Sequence, residues 1–134
     1  MNYISTRGKT APMQFSDVLL MGLAPDGGLM LPESYPQIDD ATLTEWRSLS
    51  YPDLAFAIMR LFATDIPEAD LKALIDKTYT KDVFGTDDIT PVRTLSDGIK
   101  ILALSNGPTL AFKDIAMQFL GNAFEYVLKK KNER

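Results

Sequence analysis

A run of apolar residues that leads directly into a helical pattern constrains the fold of this chain more than any other feature. Residues 101–104 read ILAL, without the alternation of a half-exposed strand. Continuous apolar strands are typical of sheets that are covered on both faces, as in α/β proteins. Gly107 and Pro108 then end the predicted strand over 99–104, because proline cannot extend a strand ladder. The pattern predicts a strand, a loop, and a helix from about 112 or 114 to 130.

The predicted last helix leaves this unit incomplete. A strand followed by a loop and a helix is half of a βαβ crossover, and the returning parallel strand is missing. We therefore interpret the chain as part of a longer protein. The alternative is a complete small domain in which 99–104 pairs with a strand over 92–95 as a hairpin across the turn at 96–98. An apolar stripe marks the buried face of the helix: Ala116, Phe119, Leu120, Ala123, Phe124 and Val127.

The N-terminal part of the chain reads as mostly helical, with one short hairpin. Residues 25–28 (PDGG) are strong turn formers, and apolar residues on either side predict a tight hairpin between 22–23 and 29–30. A polar link over 82–91 separates this part from the next, so we predict two units, 1–85 and 86–134. Apolar spacing and local composition predict a strand at 3–5 and helices at 15–22, 42–49, 51–63 and 68–77.

Composition excludes several classes of function. The net charge of −4 argues against a protein that binds nucleic acid, which needs a basic face. The one basic cluster, 129–131, closes the last helix, where its charges interact favourably with the helix C-terminus. Without cysteine or histidine there are no thiol nucleophiles and no histidine metal site. The start of the chain has no secretory h-region, and its longest apolar run, 18–24, is too short for a bilayer, so we predict a cytoplasmic protein without membrane contact.

Lys113 is the candidate catalytic residue, because it lies at the mouth of the predicted last helix, just after the apolar strand. The positive end of the helix dipole disfavours an ammonium ion there. A lysine held in its neutral form is prepared for covalent chemistry with a carbonyl group. The alternative is an ordinary solvated lysine near a helix start.

A resemblance to a known family gives this lysine a context. Residues 104–121 (LSNGPTLAFKDIAMQFLG) closely resemble the cofactor-lysine segment of the threonine synthase family. Residues 3–8 (YISTRG) and 23–29 (LAPDGGL) are similar to N-terminal motifs of that family, in the same order. The resemblance covers the whole chain but only about the first third of a family member. Asn106 stands where many members carry histidine and some carry asparagine.

The resemblance implies a fold-type II enzyme that uses pyridoxal 5′-phosphate. The chain would then be α/β: a mostly helical N-terminal region with a short hairpin, followed by the start of the αβα domain of that fold. Such enzymes convert O-phospho-L-homoserine and water into L-threonine and phosphate. Lys113 matches the lysine that binds the cofactor covalently, and Asn106 and Thr109 are candidate cofactor-binding neighbours. Thr109 has an alternative structural role, in which it orients the loop or caps the helix.

Ser5, Thr6 and Arg7 are the candidate substrate-binding residues, because arginine makes bidentate contacts with phosphate and carboxylate groups. The alternative is a strand end with a surface arginine. No glycine-rich loop that could hold the cofactor phosphate follows Lys113, so residues 1–134 alone are expected to be inactive. Two other functions remain open: a related phospho-lyase that acts on another amino-alcohol phosphate, and a non-catalytic interaction module.

Overall fold

The computed structural model describes residues 1–132 and confirms the α/β class, with helices and two short antiparallel ladders. No helix within these residues is both long and apolar enough to cross a bilayer. In chain order the elements are β1 (Tyr3–Ser5), α1 (Phe15–Met21), β2 (Met30–Pro32), α2 (Asp40–Trp46), α3 (Tyr51–Met59), α4 (Glu68–Thr78), α5 (Lys81–Phe84), β3 (Val92–Ser96), β4 (Ile99–Leu102) and α6 (Asp114–Lys131).

The predicted hairpin over 22–30 is wrong in its pairing. A turn does form at 24–28, where the amide of Ala24 donates to the carbonyl of Gly28 at 3.0 Å. The strand that follows this turn, however, is β2, which pairs antiparallel with β1 and places Ile4 opposite Leu31. β2 therefore pairs with the edge of β1, and the turn at 24–28 directs the chain back toward its N-terminal strand.

The cover on both faces that the apolar run in 99–104 favours is not supplied by the described residues. β4 ends at Leu102 and pairs with β3 in an antiparallel hairpin, with Val92 opposite Leu102. This is the pairing of the alternative interpretation. Every residue of both strands is exposed, and the side chains of Val92 and Leu95 are more than 60% exposed, at 61% and 64%. The apolar composition of β4 is therefore not explained by packing within residues 1–132.

The core lies mainly between α4 and α6. Leu71 and Ile75 on α4 are fully buried, and Phe119 and Ala123 on α6 pack into the same apolar cluster. Burying a side chain of this size contributes roughly 1.5–3 kcal/mol relative to leaving it exposed. The apolar stripe predicted for the last helix is confirmed as buried at Phe119 and Ala123. Ala116, which belongs to the same predicted stripe, is exposed.

Polar contacts fix α6 on α4 with a defined register. The Nδ2 of Asn122 donates to Oγ1 of Thr78 at 2.8 Å, and the hydroxyl of Tyr126 donates to Asp70 at 2.5 Å. Nearer the start of α6, the hydroxyl of Tyr79 donates to the carbonyl of Ile115 at 2.9 Å. Because these bonds are distributed along α6, they also hold its first turn in place.

Several helix ends differ from the predicted ones because capping groups decide them. α2 begins at Asp40 since Asp39 accepts from the amide of Thr42 at 2.8 Å. The start of α1 is served by Asp65, a distant residue that accepts from the amide of Ser16 at 2.9 Å, and not by a local cap. The many apolar residues of α3 predict a helix that is mostly buried, but none of its residues is fully buried.

The predicted link over 82–91 contains structure that the sequence pattern missed. Thr80 caps the four-residue helix α5. Phe84 and Ile89 are both buried, each with 1% of its surface exposed. A four-residue helix is too short to show periodicity. One apolar cluster includes residues from both sides of position 85, and the division into 1–85 and 86–134 stays a prediction.

Candidate functional site

Lys113 lies immediately before the first residue of α6, in a helical backbone conformation. Its carbonyl accepts from the amide of Met117 at 2.8 Å and from the amide of Ala116 at 3.1 Å, so its backbone belongs to the first turn. The side chain is exposed, and within residues 1–132 its amine has no hydrogen bond or ion pair. An accessible amine on a fixed backbone is the arrangement that covalent chemistry at this lysine requires.

The loop that precedes Lys113 is closed by a contact between Thr109 and Asp114. The amide of Thr109 donates to Oδ2 of Asp114 at 2.9 Å, and its hydroxyl donates to Oδ1 at 2.9 Å. Residues 110–113, which include Lys113, therefore form a short loop. The residues on either side of it, Thr109 and Asp114, are joined by two hydrogen bonds. This geometry supports the interpretation in which Thr109 orients the loop.

Asp114 is a buried carboxylate, with only 3% of its surface exposed. Burial raises the pKa of Asp114, but hydrogen bonds from Thr109 and from the amide of Ala111 outweigh that effect and hold the pKa below its ordinary value. The carboxylate is therefore charged near neutral pH. Its negative charge at the start of an 18-residue helix is also favoured by the helix dipole.

Gly107 is required at its position by close packing. A β-carbon on this residue would lie 2.3 Å from Cβ of Asp114 and 2.6 Å from its Oδ2. An unusual dihedral angle is not the reason for this glycine, because Gly107 is absent from the described glycines with positive φ. The residue that does adopt a positive φ in this loop is Leu110, at 57°.

Asn106 connects the loop to the segment between α5 and β3. Its Nδ2 donates to the carbonyl of Ile89 at 3.3 Å, and the residue is half-buried. Ile89 is buried with a positive φ of 45°, so this bond satisfies a carbonyl in a strained stretch of backbone. Contact between Asn106 and a cofactor stays a prediction.

The N-terminal motif forms a second polar cluster, centred on Asp26. The carboxylate of Asp26 accepts from the hydroxyl of Ser5 at 2.7 Å, from the amide of Gly28 at 2.9 Å and from the amide of Lys9 at 2.9 Å. Burial alone would raise the pKa of Asp26, but these hydrogen bonds outweigh it and lower the pKa to about 2. Asp26 therefore links residues 5–9 to the turn at 24–28 through hydrogen bonds.

The other two candidate substrate residues are attached to the same turn. Oγ1 of Thr6 accepts from the amide of Leu29 at 3.0 Å. Arg7 donates from one guanidinium nitrogen to the carbonyl of Asp26 at 3.0 Å, and the rest of its side chain is exposed. Ser5 is buried and bonded to Asp26, so Arg7 is the residue of the three best placed to meet a ligand.

Comparison with known proteins shows which family this chain is similar to. Residues 2–79 match the family model described as the threonine synthase N terminus. The match covers more than half of the chain. The chain belongs to the threonine synthase family.

Relatives in the threonine synthase family match almost the entire chain. Threonine synthase of Methylobacillus glycogenes is 54% identical and that of Corynebacterium glutamicum 52% identical, each over 99% of this chain. A crystal structure of threonine synthase from Brucella melitensis with bound pyridoxal phosphate superposes on the whole chain with a TM-score of 0.94 at 41% identity. The chain spans only about 30% of the length of these relatives, so it corresponds to the N-terminal part of a threonine synthase.

The structure assembles the predicted residues of this threonine synthase segment in two separate groups. The hydrogen bonds of Ser5, Thr6 and Arg7 go to residues of the first 29, whereas Asn106 and Thr109 bond to Ile89 and Asp114. The sequence pattern did not indicate the hydrogen bonds between Thr109 and Asp114. The available signal was the spacing of five positions between Asp114 and Thr109, which directly follows Gly107-Pro108.

Proposed function

We propose that the whole protein is a pyridoxal 5′-phosphate-dependent threonine synthase, which converts O-phospho-L-homoserine and water into L-threonine and phosphate. The observation that carries this proposal is the exposed, unpaired amine of Lys113 on a loop fixed by Asp114, within the segment 107–118 that has the form GPTxxFKDxxxQ. The identity to threonine synthases across the whole chain supports it.

The residues present fit such a cofactor. Pyridoxal phosphate supplies an aldehyde that condenses with a primary amine, with loss of water, and a ring that accepts electrons from the substrate. Lys113 provides the amine, and the described residues place no carboxylate against it that would keep it as an ion pair. Asn106 and Thr109 lie on the same loop and are proposed to contact the cofactor from that side.

Lys113 would also move protons during the reaction. Its Nζ would accept and return protons at the substrate carbons, since phosphate leaves from the γ carbon and water adds at the β carbon. One mobile base near all three carbons suits that order of proton transfers. The hydrogen bonds that hold the first turn of α6 would limit where this amine can reach.

Arg7 is proposed to bind the substrate phosphate or carboxylate. It is exposed, and one of its guanidinium nitrogens is already held by the carbonyl of Asp26, so its orientation is partly fixed. A prepositioned arginine loses less side-chain entropy when it binds an anion. Ser5 and Thr6 are proposed to support this arginine through the 26–29 turn and to border the substrate.

The test is an assay of the whole protein with O-phospho-L-homoserine, which measures phosphate release and identifies the amino-acid product. The Lys113→Ala variant is expected to lose the visible absorption band of the bound cofactor and the activity, and Lys100→Ala, which changes an exposed strand lysine, is expected to keep both. A Lys113→Ala protein that retains the band would refute the assignment of the lysine.

Product identity decides the substrate class in the same experiment. Threonine together with phosphate supports the proposal, and phosphate with a different product would assign the protein to a related phospho-lyase. We also propose a cytoplasmic location, because substrate, product and cofactor are small charged molecules that dissolve in the cytosol. Fractionation of cells that produce the whole protein tests this location.

A further inference from the structure

We propose that Asp114 and Thr109 form a clamp that positions Lys113, and that Asp114 is a positioning residue for the reaction. This inference rests on the proposed function and adds the group that controls where the lysine amine can move. Asp114 acts through the backbone of the loop and does not itself touch the substrate. Its neighbour in the chain is Lys113, so any movement of one residue displaces the other.

The clamp consists of hydrogen bonds that close a short stretch of backbone around the lysine. Both carboxylate oxygens of Asp114 are used, one by the amide of Thr109 and one by its hydroxyl, each at 2.9 Å. The amide of Leu110 also donates to the carbonyl of Gly107 at 3.0 Å, which tightens the start of the loop. The geometry leaves the loop few other conformations.

The loop needs such a clamp because parts of it are unfavourable in isolation. Leu110 has a positive φ of 57° while it is 76% exposed, so little packing within the described residues compensates for that conformation. Phe112, next to the lysine, is also exposed, at 70%. With little apolar contact to hold 110–113, the buried Asp114 is the main anchor on the lysine side of the loop.

Packing around the carboxylate shows that it is built into the structure and is not a surface charge. Asp114 is 3% exposed, and Gly107 approaches it so closely that no larger residue fits. Removing either partner therefore leaves a buried polar group without its hydrogen bond. A carboxylate whose only role was to interact with the helix dipole would not need the contacts that Asp114 makes with Gly107 and Thr109.

The test compares Asp114→Asn, Thr109→Val and Thr109→Ser in the whole protein, with Asp39→Asn as the matched control. Asp39 also accepts from a backbone amide at a helix start, but on α2. Two readouts are needed: hydrogen exchange of peptides that span 107–117, and the rate at which pyridoxal phosphate becomes fixed on Lys113 by borohydride reduction. Melting temperatures of all variants report global stability.

Asp114→Asn and Thr109→Val are expected to speed exchange in 107–117 and to slow labelling of Lys113 by roughly tenfold, because misplacement of a reacting group carries such costs. kcat should fall more than KM changes. Thr109→Ser keeps the hydroxyl and should retain the slow exchange of 107–117, and Asp39→Asn should behave like the unchanged protein in every readout. Unchanged exchange and labelling in Asp114→Asn and Thr109→Val would overturn the clamp, as would an equal loss in Asp39→Asn.

The two proposals fail separately in this design. If the unchanged protein makes no threonine, or takes up no pyridoxal phosphate at Lys113, the proposed function is wrong. The exchange data on 107–117 still decide for or against the clamp, since they require no cofactor. If the unchanged protein is active and the clamp variants match it in every readout, the function stands and the clamp is refuted.

Discussion

Gly107 and Asp114 lie so close together that a single added methyl group on the glycine would overlap the aspartate, with Cβ to Cβ at 2.3 Å. Six residues lie between them in the sequence, and Lys113 is the last of the six. The contact joins the end of the loop that follows β4 to the start of α6. It therefore places the candidate catalytic lysine within a loop whose two ends are in van der Waals contact.

Gly107→Ala is expected to destabilise the protein by about 1–3 kcal/mol, because the added carbon overpacks a tight site. Chemical denaturation with urea measures the loss, and borohydride labelling of Lys113 should fall in parallel. Gly121→Ala is the control, since no atom lies within 4 Å of an added carbon there. Within α6 that change should stabilise by about 0.5–1 kcal/mol. Equal effects of the two substitutions would contradict the tight contact.

Gly28→Ala is expected to disrupt the N-terminal cluster. An added β-carbon would lie 2.2 Å from Oγ of Ser5, so the Ser5 side chain must leave Asp26 or the turn must move. The melting temperature should fall, and Ser5→Gly combined with Gly28→Ala should recover part of the loss. Additive losses in the double variant would show that the two residues do not compete for the same space.

Stability at acid pH should depend on Asp26. Its pKa in the folded protein is about 2, below the ordinary value of 3.8, so its contribution is present above about pH 4 and is lost as the pH falls toward 2. Urea unfolding at pH 5 and at pH 2.5 should therefore differ less in Asp26→Asn than in the unchanged protein. Carboxyl ¹³C titration gives the pKa directly, and a value at or above 3.8 would contradict the hydrogen-bond account.

Leu71→Ala is expected to cost about 2–5 kcal/mol, because Leu71 is fully buried between helices and the truncation leaves a cavity. The same truncation at Leu43, which is 47% exposed, should change stability by no more than about 0.5 kcal/mol. Thermal and urea unfolding measure both. If the Leu71 variant were as stable as the Leu43 variant, the assignment of the core to the α4 and α6 interface would be wrong.

Much of the helical structure could be predicted from local patterns, because each long helix has its own apolar stripe. Leu71, Leu74 and Ile75 are spaced for one face of α4, and all three are buried. The short helix α5 and the pairing of β2 with β1 could not be predicted. The first has too few residues for a period, and the second joins segments 25 or more positions apart.

Part of the candidate site could likewise be predicted from the sequence, and part of it could not. The segment 107–118 identified Lys113 from the sequence, because cofactor chemistry requires that residue type in that pattern. The burial of Asp114 could not be read from the sequence, since an aspartate in the first turn of a helix is usually a solvated charge. Only the fold of the loop brings Thr109 to its carboxylate.

The sequence by itself determined the family and the α/β class and made Lys113 the candidate catalytic residue, because these depend on residue types and their spacing along the chain. The tertiary structure decided which side chains satisfy each other: Ser5 with Asp26, and Thr109 with Asp114. It also showed that β3 and β4 pair with each other and stay exposed within the described residues. Such contacts depend on the path of the backbone in three dimensions, which local residue preferences do not specify.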